Sequence, residues 1–139
     1  MLSALDVSAS ALTAQRMRIN TIAGNLANMS TPYDENSGAE PYQPRFVIFQ
    51  PDESVGGGGA AGVKVASVEV AAQEPRWKYE PGNPLAKQDG PHKGCVAYPN
   101  IDMIGEFTDA LEASRSYEAN LGVMDITKDM AQQTLRILA

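Results

Sequence analysis

Asn25-Leu26-Ala27-Asn28-Met29-Ser30-Thr31-Pro32 is the stretch at which the chain changes character. Pro32 is the first proline and Pro99 the last, and all nine lie within those bounds. Proline breaks helix interiors, so its absence from both ends marks two segments free to be helical. Asn28 can accept a left-handed position at a helix C-terminus, and Pro32 pushes Thr31 toward extended geometry. The stretch therefore reads as the end of an N-terminal helix and the start of something else.

Working outward, residues 3–28 carry Leu5, Leu12, Ile19 and Leu26 at intervals of seven. Ala9, Ile22 and Ala23 widen that stripe, while Ser8, Gln15 and Arg16 interrupt it. Ser3 followed by Asp6 resembles a capping box with Asp for Glu. At the other end, residues 102–138 carry Met103, Ala110, Tyr117, Met124, Ala131 and Leu138 as one seven-residue series. Phe107, Leu121 and Leu135 form a second, broken by Ser114 and Lys128. Such seams suit either a coiled coil or two amphipathic helices of a bundle. Both readings stay open from the pattern.

The middle reads as strands and turns. Phe46-Val47-Ile48-Phe49, between Pro44 and Pro51, is expected to be a buried strand. Val63-Lys64-Val65 and Val68-Glu69-Val70 alternate on opposite parities, which a bulge near Ala66-Ser67 reconciles. Trp77 and Tyr79 share one face, Arg76 and Lys78 the other. Glu80-Pro81-Gly82-Asn83-Pro84 is a turn by composition, and Cys95-Val96-Ala97-Tyr98 a last strand. The expected architecture is α+β: long terminal helices packed as a coiled-coil-like pair, with a small antiparallel β domain inserted between them. The divisions fall at 1–31, 32–100 and 101–139.

Composition narrows the function. The 139 residues carry a formal charge of −6, with no basic patch for nucleic acid. No run approaches the roughly 20 apolar residues that span a bilayer. The start lacks a basic region followed by an apolar core, so no cleaved export signal is expected. Roughly sixty helical residues share one seam, which is little apolar burial against the entropy of ordering them. The ends are therefore expected to order against neighbouring subunits.

Catalytic motifs are sparse. His92 is the single histidine, and His92 with Cys95 is half of a zinc site with no second pair to complete it. The alternative for His92 is a solvated loop residue beside a partly buried thiol. Gly57-Gly58-Gly59-Ala60-Ala61-Gly62 fits G-x-G-x-x-G in letters, but Pro51-Asp52-Glu53-Ser54 precedes it and an alternating β pattern follows, which makes it a turn. Glu106, Asp109, Glu112 and Glu118 read as a solvated helix face. An enzyme, a cofactor and a metal are not expected. A soluble helical adaptor for one partner helix is the alternative to an assembly subunit.

The closing stretch Asn25 to Pro32 resembles the signature of bacterial flagellar axial proteins, the rod, hook and hook-associated subunits. Three further stretches narrow the likeness to a proximal rod subunit. They are Tyr79-Glu80-Pro81-Gly82-Asn83-Pro84-Leu85-Ala86, Gly94-Cys95-Val96-Ala97-Tyr98-Pro99-Asn100-Ile101-Asp102 and Ser114-Arg115-Ser116-Tyr117-Glu118-Ala119-Asn120. Two departures stand out: Tyr33 follows Pro32 directly, before a polar insert from Asp34 to Glu40, and Cys95 stands where tyrosine is common. The resemblance implies a structural subunit of the basal-body rod, crossing the periplasm and exported by the flagellar type III apparatus. It implies contacts with copies of itself, with FlgB, FlgF and FlgG, and with FliE and the MS ring. On that view Leu5, Leu12, Ile19, Leu26, Phe107, Tyr117, Leu121, Met124 and Leu135 carry assembly. Asn25, Leu26, Ala27, Asn28, Thr31 and Pro32 are the axial motif, with Asn28, Thr31 and Pro32 setting the exit from the helix.

Overall fold

The computed structural model describes residues 2–34, 41–55 and 61–138. Helix α1 spans Leu2–Asn28 and helix α2 spans Met103–Leu138. Between them come β1 (Arg45–Asp52), β2 (Gly62–Val70), β3 (Arg76–Tyr79) and β4 (Cys95–Tyr98). At ~1.5 Å per residue the helices are about 40 and 54 Å long. They pack antiparallel: Asn25 meets Glu106, Arg18 meets Asp109 and Glu112, and Leu12 and Tyr117 line one small cavity.

On α1 the line that faces inward is not the expected one, whereas on α2 it includes Ala110, Tyr117, Met124 and Ala131 of the expected series. On α1, Ser8, Ala14, Ile22 and Asn25 are buried, whereas Leu5, Leu12, Ile19 and Leu26 are half-buried. Two of the residues read as interruptions, Ser8 and Gln15, face inward. On α2 the inward line runs Glu106, Ala110, Ala113, Tyr117, Asn120, Met124, Thr127, Ala131. Small residues (Ser8, Ala14, Ala110, Ala113, Thr127, Ala131) alternate on this seam with larger ones (Ile22, Tyr117, Met124) and with the polar Asn25, Glu106 and Asn120.

The ends of the helices are built locally. α1 already includes Leu2, one residue ahead of the expected cap at Ser3. Its other end is not left-handed at Asn28, since no described non-glycine residue has positive φ. The turn tightens instead: Met29 N–H bonds Leu26 O at 3.4 Å and Thr31 N–H bonds Asn28 O at 3.0 Å. The Asn28 side chain donates back to Gly24 O at 2.8 Å. Asp102 caps α2, its Oδ1 accepting from Ile104 N–H at 3.1 Å.

The strands form two separate two-stranded antiparallel sheets, β1–β2 and β3–β4, not one sheet. Ile48 opposes Ser67 and Phe49 opposes Val65, so Ala66 is the extra residue of a bulge. That is the bulge which the parity change between Val65 and Val68 demands. The β1–β2 ribbon lies along α1. Arg45 is tied to Asn25 at one end, and Val63 N–H bonds Ser10 Oγ at 3.0 Å at the other. Fifteen helical residues and seven strand steps both cover roughly 23 Å, so the two elements match in length. Phe46–Phe49 is a strand but not a buried one: Phe46 and Ile48 are exposed. Gly57 to Ala60 of the glycine-rich turn, and residues 35–40 of the polar insert, lie outside the described residues.

Gly62 marks the tightest approach of ribbon to helix. A Cβ there would come within 2.8 Å of both Ser10 Oγ and Val55 Cβ. Gly62→Ala should lower stability by about 1–3 kcal/mol, while Gly82→Ala, with open space around it, should leave stability nearly unchanged. Urea titrations of the two variants decide it; equal midpoints would remove Gly62 from the packing argument.

Candidate assembly surface and its supporting clamp

Asn25 is 1 % exposed and uses its side-chain amide completely. Its Nδ2 donates to Arg45 O at 2.8 Å and to Glu106 Oε1 at 2.9 Å. Its Oδ1 accepts from Arg45 N–H and from the Tyr42 hydroxyl, each at 2.9 Å. An asparagine amide has two donors and two lone pairs, and all four are satisfied. The paired bonds to both backbone groups of Arg45 imitate a neighbouring strand. One side chain thus fixes α1, β1 and α2 together.

The clamp sits in a protected, acidic corner. Burial pushes the Glu106 carboxyl above its ordinary range; the Asn25 amide pulls it partly back, while Asp109 and Asp102 add to the rise. Burial likewise raises the Tyr42 hydroxyl, against the pull of Arg45. Arg18 crosses from α1 to Asp109 at 3.3 Å and Glu112 at 3.5 Å, both carboxylates being well exposed.

A second hub orders the β3–β4 sheet. Glu80 accepts from Lys78 Nζ at 2.6 Å, and from Asn83 Nδ2 and the Tyr98 hydroxyl, each at 3.1 Å. Lys78 leads the causes that hold the Glu80 carboxyl below its usual range. Burial and the bond to Glu80 raise Tyr98. Tyr33 N–H bonds Ala97 O at 2.9 Å, which joins the exit from α1 to β4. His92 is not a solvated loop residue: its ring stacks on Trp77 with centroids 4.2 Å apart and planes nearly parallel, and Lys87 Nζ lies 5.2 Å from the Trp77 ring.

The sequence-predicted assembly residues divide into two groups. Leu5, Leu12, Ile19 and Leu26, with Tyr117 and Met124, are half-buried along the helix pair. Phe107, Leu121 and Leu135 are 53 %, 46 % and 66 % exposed. Ile104, Leu111, Ile126, Met130 and Ile137, which pattern reasoning passed over, are exposed as well. Within the axial motif Asn25 is the buried member, Leu26, Asn28 and Pro32 are half-buried, and Ala27 and Thr31 are exposed. No helix among the described residues is long and apolar enough to cross a membrane.

Large apolar side chains left exposed along a helix pair are the build of a subunit made to be covered. Comparison with known proteins gives the same direction. Residues 5–32 match the family described as flagella basal body rod protein, and residues 92–137 match flagellar basal body rod FlgEFG protein C-terminal. The flagellar basal-body rod protein FlgC of Escherichia coli O6:H1 is 40 % identical over 137 residues, covering 99 % of this chain and 97 % of that protein. The chain belongs to the FlgC family of flagellar basal-body rod proteins. FlgC of Borreliella burgdorferi is 35 % identical over 150 residues, covering 99 % of this chain and 97 % of that protein. FlgC of Bacillus subtilis is 36 % identical over 146 residues, covering 96 % and 95 %. The stretch that resembles the axial proteins supplies the clamp's Asn25, and two of the three stretches that narrow the likeness supply Glu80 of the hub and the Asp102 cap.

Asn25→Ala leaves both backbone groups of Arg45 without partners and should cost about 3 kcal/mol or more, read as a lowered urea midpoint; an unchanged midpoint would show that the clamp does not hold the fold. Glu106 carries a pH signature. Its folded carboxyl keeps a proton to higher pH than the unfolded one, so its contribution is full below the ordinary value near 4.5 and lost as pH rises through the folded value. Glu106→Gln keeps an acceptor for Asn25. It should match the parent near pH 4 and exceed it in stability near pH 7, and the same gap at both pH values would count against the buried-carboxyl account.

Proposed function

We propose that this chain is a structural subunit of the flagellar basal-body rod in which α1 and α2 form the axial core and the strands form an outer part. Residues 1–31 and 101–139 supply the core, and residues 32–100 supply the outer part. The observation that carries this is the exposed apolar surface of α2. Phe107, Leu121, Ile126 and Met130 are spread over roughly half the helix circumference at 3.6 residues per turn. An adaptor gripping one partner helix needs a single stripe; a subunit surrounded by neighbours needs several. Phe107, Leu121 and Leu135 are assigned to contacts between subunits. Leu5, Leu12, Ile19, Leu26, Tyr117 and Met124 serve the helix pair and, at their exposed margins, the neighbours.

The mechanism follows from geometry. A head-to-tail contact between identical subunits that does not close into a ring builds a helical tube. Many modest contacts repeated around the tube give torsional stiffness, which a drive shaft needs, and leave a lumen for exported subunits. The neighbours assigned on this reading are further copies, FlgB, FlgF and FlgG along the rod, FliE and the MS ring at its base, and the type III apparatus during export.

Two measurements test the reading. Mass spectrometry of detergent-extracted hook–basal bodies should find the chain retained with rod and rings. Its recovery only as a soluble species would break the assignment. Leu121→Asp lies on the exposed side of α2, so it should abolish swimming while expression and helix content hold. Normal swimming would take Leu121 out of the assembly surface.

A further inference from the structure

The loop that leads into β4 is pinned at its neck. Lys87 N–H bonds Cys95 O at 2.9 Å, and Gly94 N–H bonds Lys87 O at 2.8 Å. Within the neck lie Gln88-Asp89-Gly90-Pro91-His92-Lys93. Lys93 N–H bonds Gly90 O at 3.2 Å, and Cys95 N–H bonds His92 O at 3.0 Å. His92, stacked on Trp77, fastens the loop to β3.

Asp89 and Gly90 are exposed, and a hollow of ≈ 350 Å³ opens beside Asp89, so water reaches both. Gly90 has a φ of 89°, a left-handed conformation that glycine adopts freely and other residues do not. The turn thus demands the one residue whose backbone nitrogen has no side chain to shield it. Nothing lies within 4 Å of where its Cβ would stand. Among the described residues, no hydrogen bond or ion pair engages the Asp89 carboxylate or the Gly90 N–H. A carboxyl and an amide, adjacent, solvated and both uncommitted, are the reactants of a ring closure.

We infer that Asp89-Gly90 is a site of spontaneous aspartate isomerisation, and that the change releases His92 from Trp77. The Gly90 nitrogen attacks Asp89 Cγ. A C–N bond forms and a carboxyl C–O bond breaks, with the hydroxyl and the amide proton leaving together as water. The product is a five-membered succinimide. Water then opens the ring at either carbonyl. Opening at Cγ restores aspartate. Opening at the main-chain carbonyl routes the backbone through Cβ and Cγ and leaves the old carbonyl as a free carboxylate. The water released in closure is the water consumed in opening, so no other reactant is needed. The isomer's main chain is one atom longer. In a loop held at Lys87 and Gly94, that atom displaces Gly90 from Lys93 and carries His92, two residues on, off the Trp77 ring.

Elsewhere the same attack meets an obstacle. Asn83 precedes Pro84, which has no N–H. Asp52 is held by Ser54, Asp102 by Ile104 N–H and Asn28 by Gly24 O. Asp and Asn residues inside the helices precede nitrogens whose protons are bonded along the helix. The inference concerns the chain itself and does not depend on the reading of it as a rod subunit.

The test is to age the purified full-length chain for weeks in neutral buffer and digest it with trypsin. The peptide 88–93 holds one Asp and no Asn, so a second chromatographic peak of identical mass reports this site alone. When ageing is done in oxygen-18 water, that peak should carry heavy oxygen, the mark of ring opening. Trp77 is the single tryptophan, so its fluorescence should shift in step with the second peak. Asp89→Glu, which would have to close a six-membered ring, should lose both signals. Asp89→Asn, whose amide leaves more readily as ammonia, should show both sooner. A peptide that stays a single peak would overturn the inference. So would a second peak that leaves Trp77 fluorescence unchanged, or one that persists in Asp89→Glu.

Discussion

The saturated amide of Asn25 is the interaction on which the rest of the structure depends. Helix pair and ribbon share little apolar core: apart from Ile22, the inward residues of α1 are small or polar. Something other than bulk burial must fix where β1 and α2 sit. Four hydrogen bonds from one side chain do so with directional precision that a leucine could not supply. The cost of leaving any of these groups unpaired in a buried site is what makes the arrangement specific. The Asp102 cap then sets where α2 begins, three residues before the glutamate that the clamp engages.

The division of apolar residues follows from the same economy. A free-standing bundle places its large aliphatics inside. Here the fully buried positions of the helix pair are Ser8, Ala14, Ile22, Asn25, Ala113 and Thr127, with a single large aliphatic among them. Leucine, isoleucine, phenylalanine and methionine are left for the outside, where a neighbour can bury them. The β3–β4 sheet has its own polar hub at Glu80 and its own aromatic stack at Trp77 and His92, so it needs little from the helices beyond the tether at Tyr33.

Much of this was legible in the sequence. The proline distribution gave both helices to within a residue or so, and the parity change between Val65 and Val68 located the bulge at Ala66. What misled was the habit of equating large with buried. The seven-residue series of α1 is marginal, because apart from Ile22 the buried line is Ser8, Ala14 and Asn25, small or polar residues that add little hydrophobic signal. Phe46 reads as core for the same reason and lies exposed. The role of Asn25 was visible as a motif letter but not as a clamp, since its partners arrive from 17, 20 and 81 residues away. His92 and Trp77 meet only because the hairpin folds back, and no local pattern encodes that.

Those separations also order events in time. Closing the stretch from Asn25 to Arg45 is a short search, and three of the four bonds form within it. Recruiting Glu106 closes a loop four times longer, at an added entropic cost of only about 1 kcal/mol. Loop closure alone therefore favours a half-made clamp, with α1 and the ribbon joined and α2 still free, over one that recruits α2 first. In that state the Asn25 amide holds one unused donor, which waits for the last part of the chain to arrive.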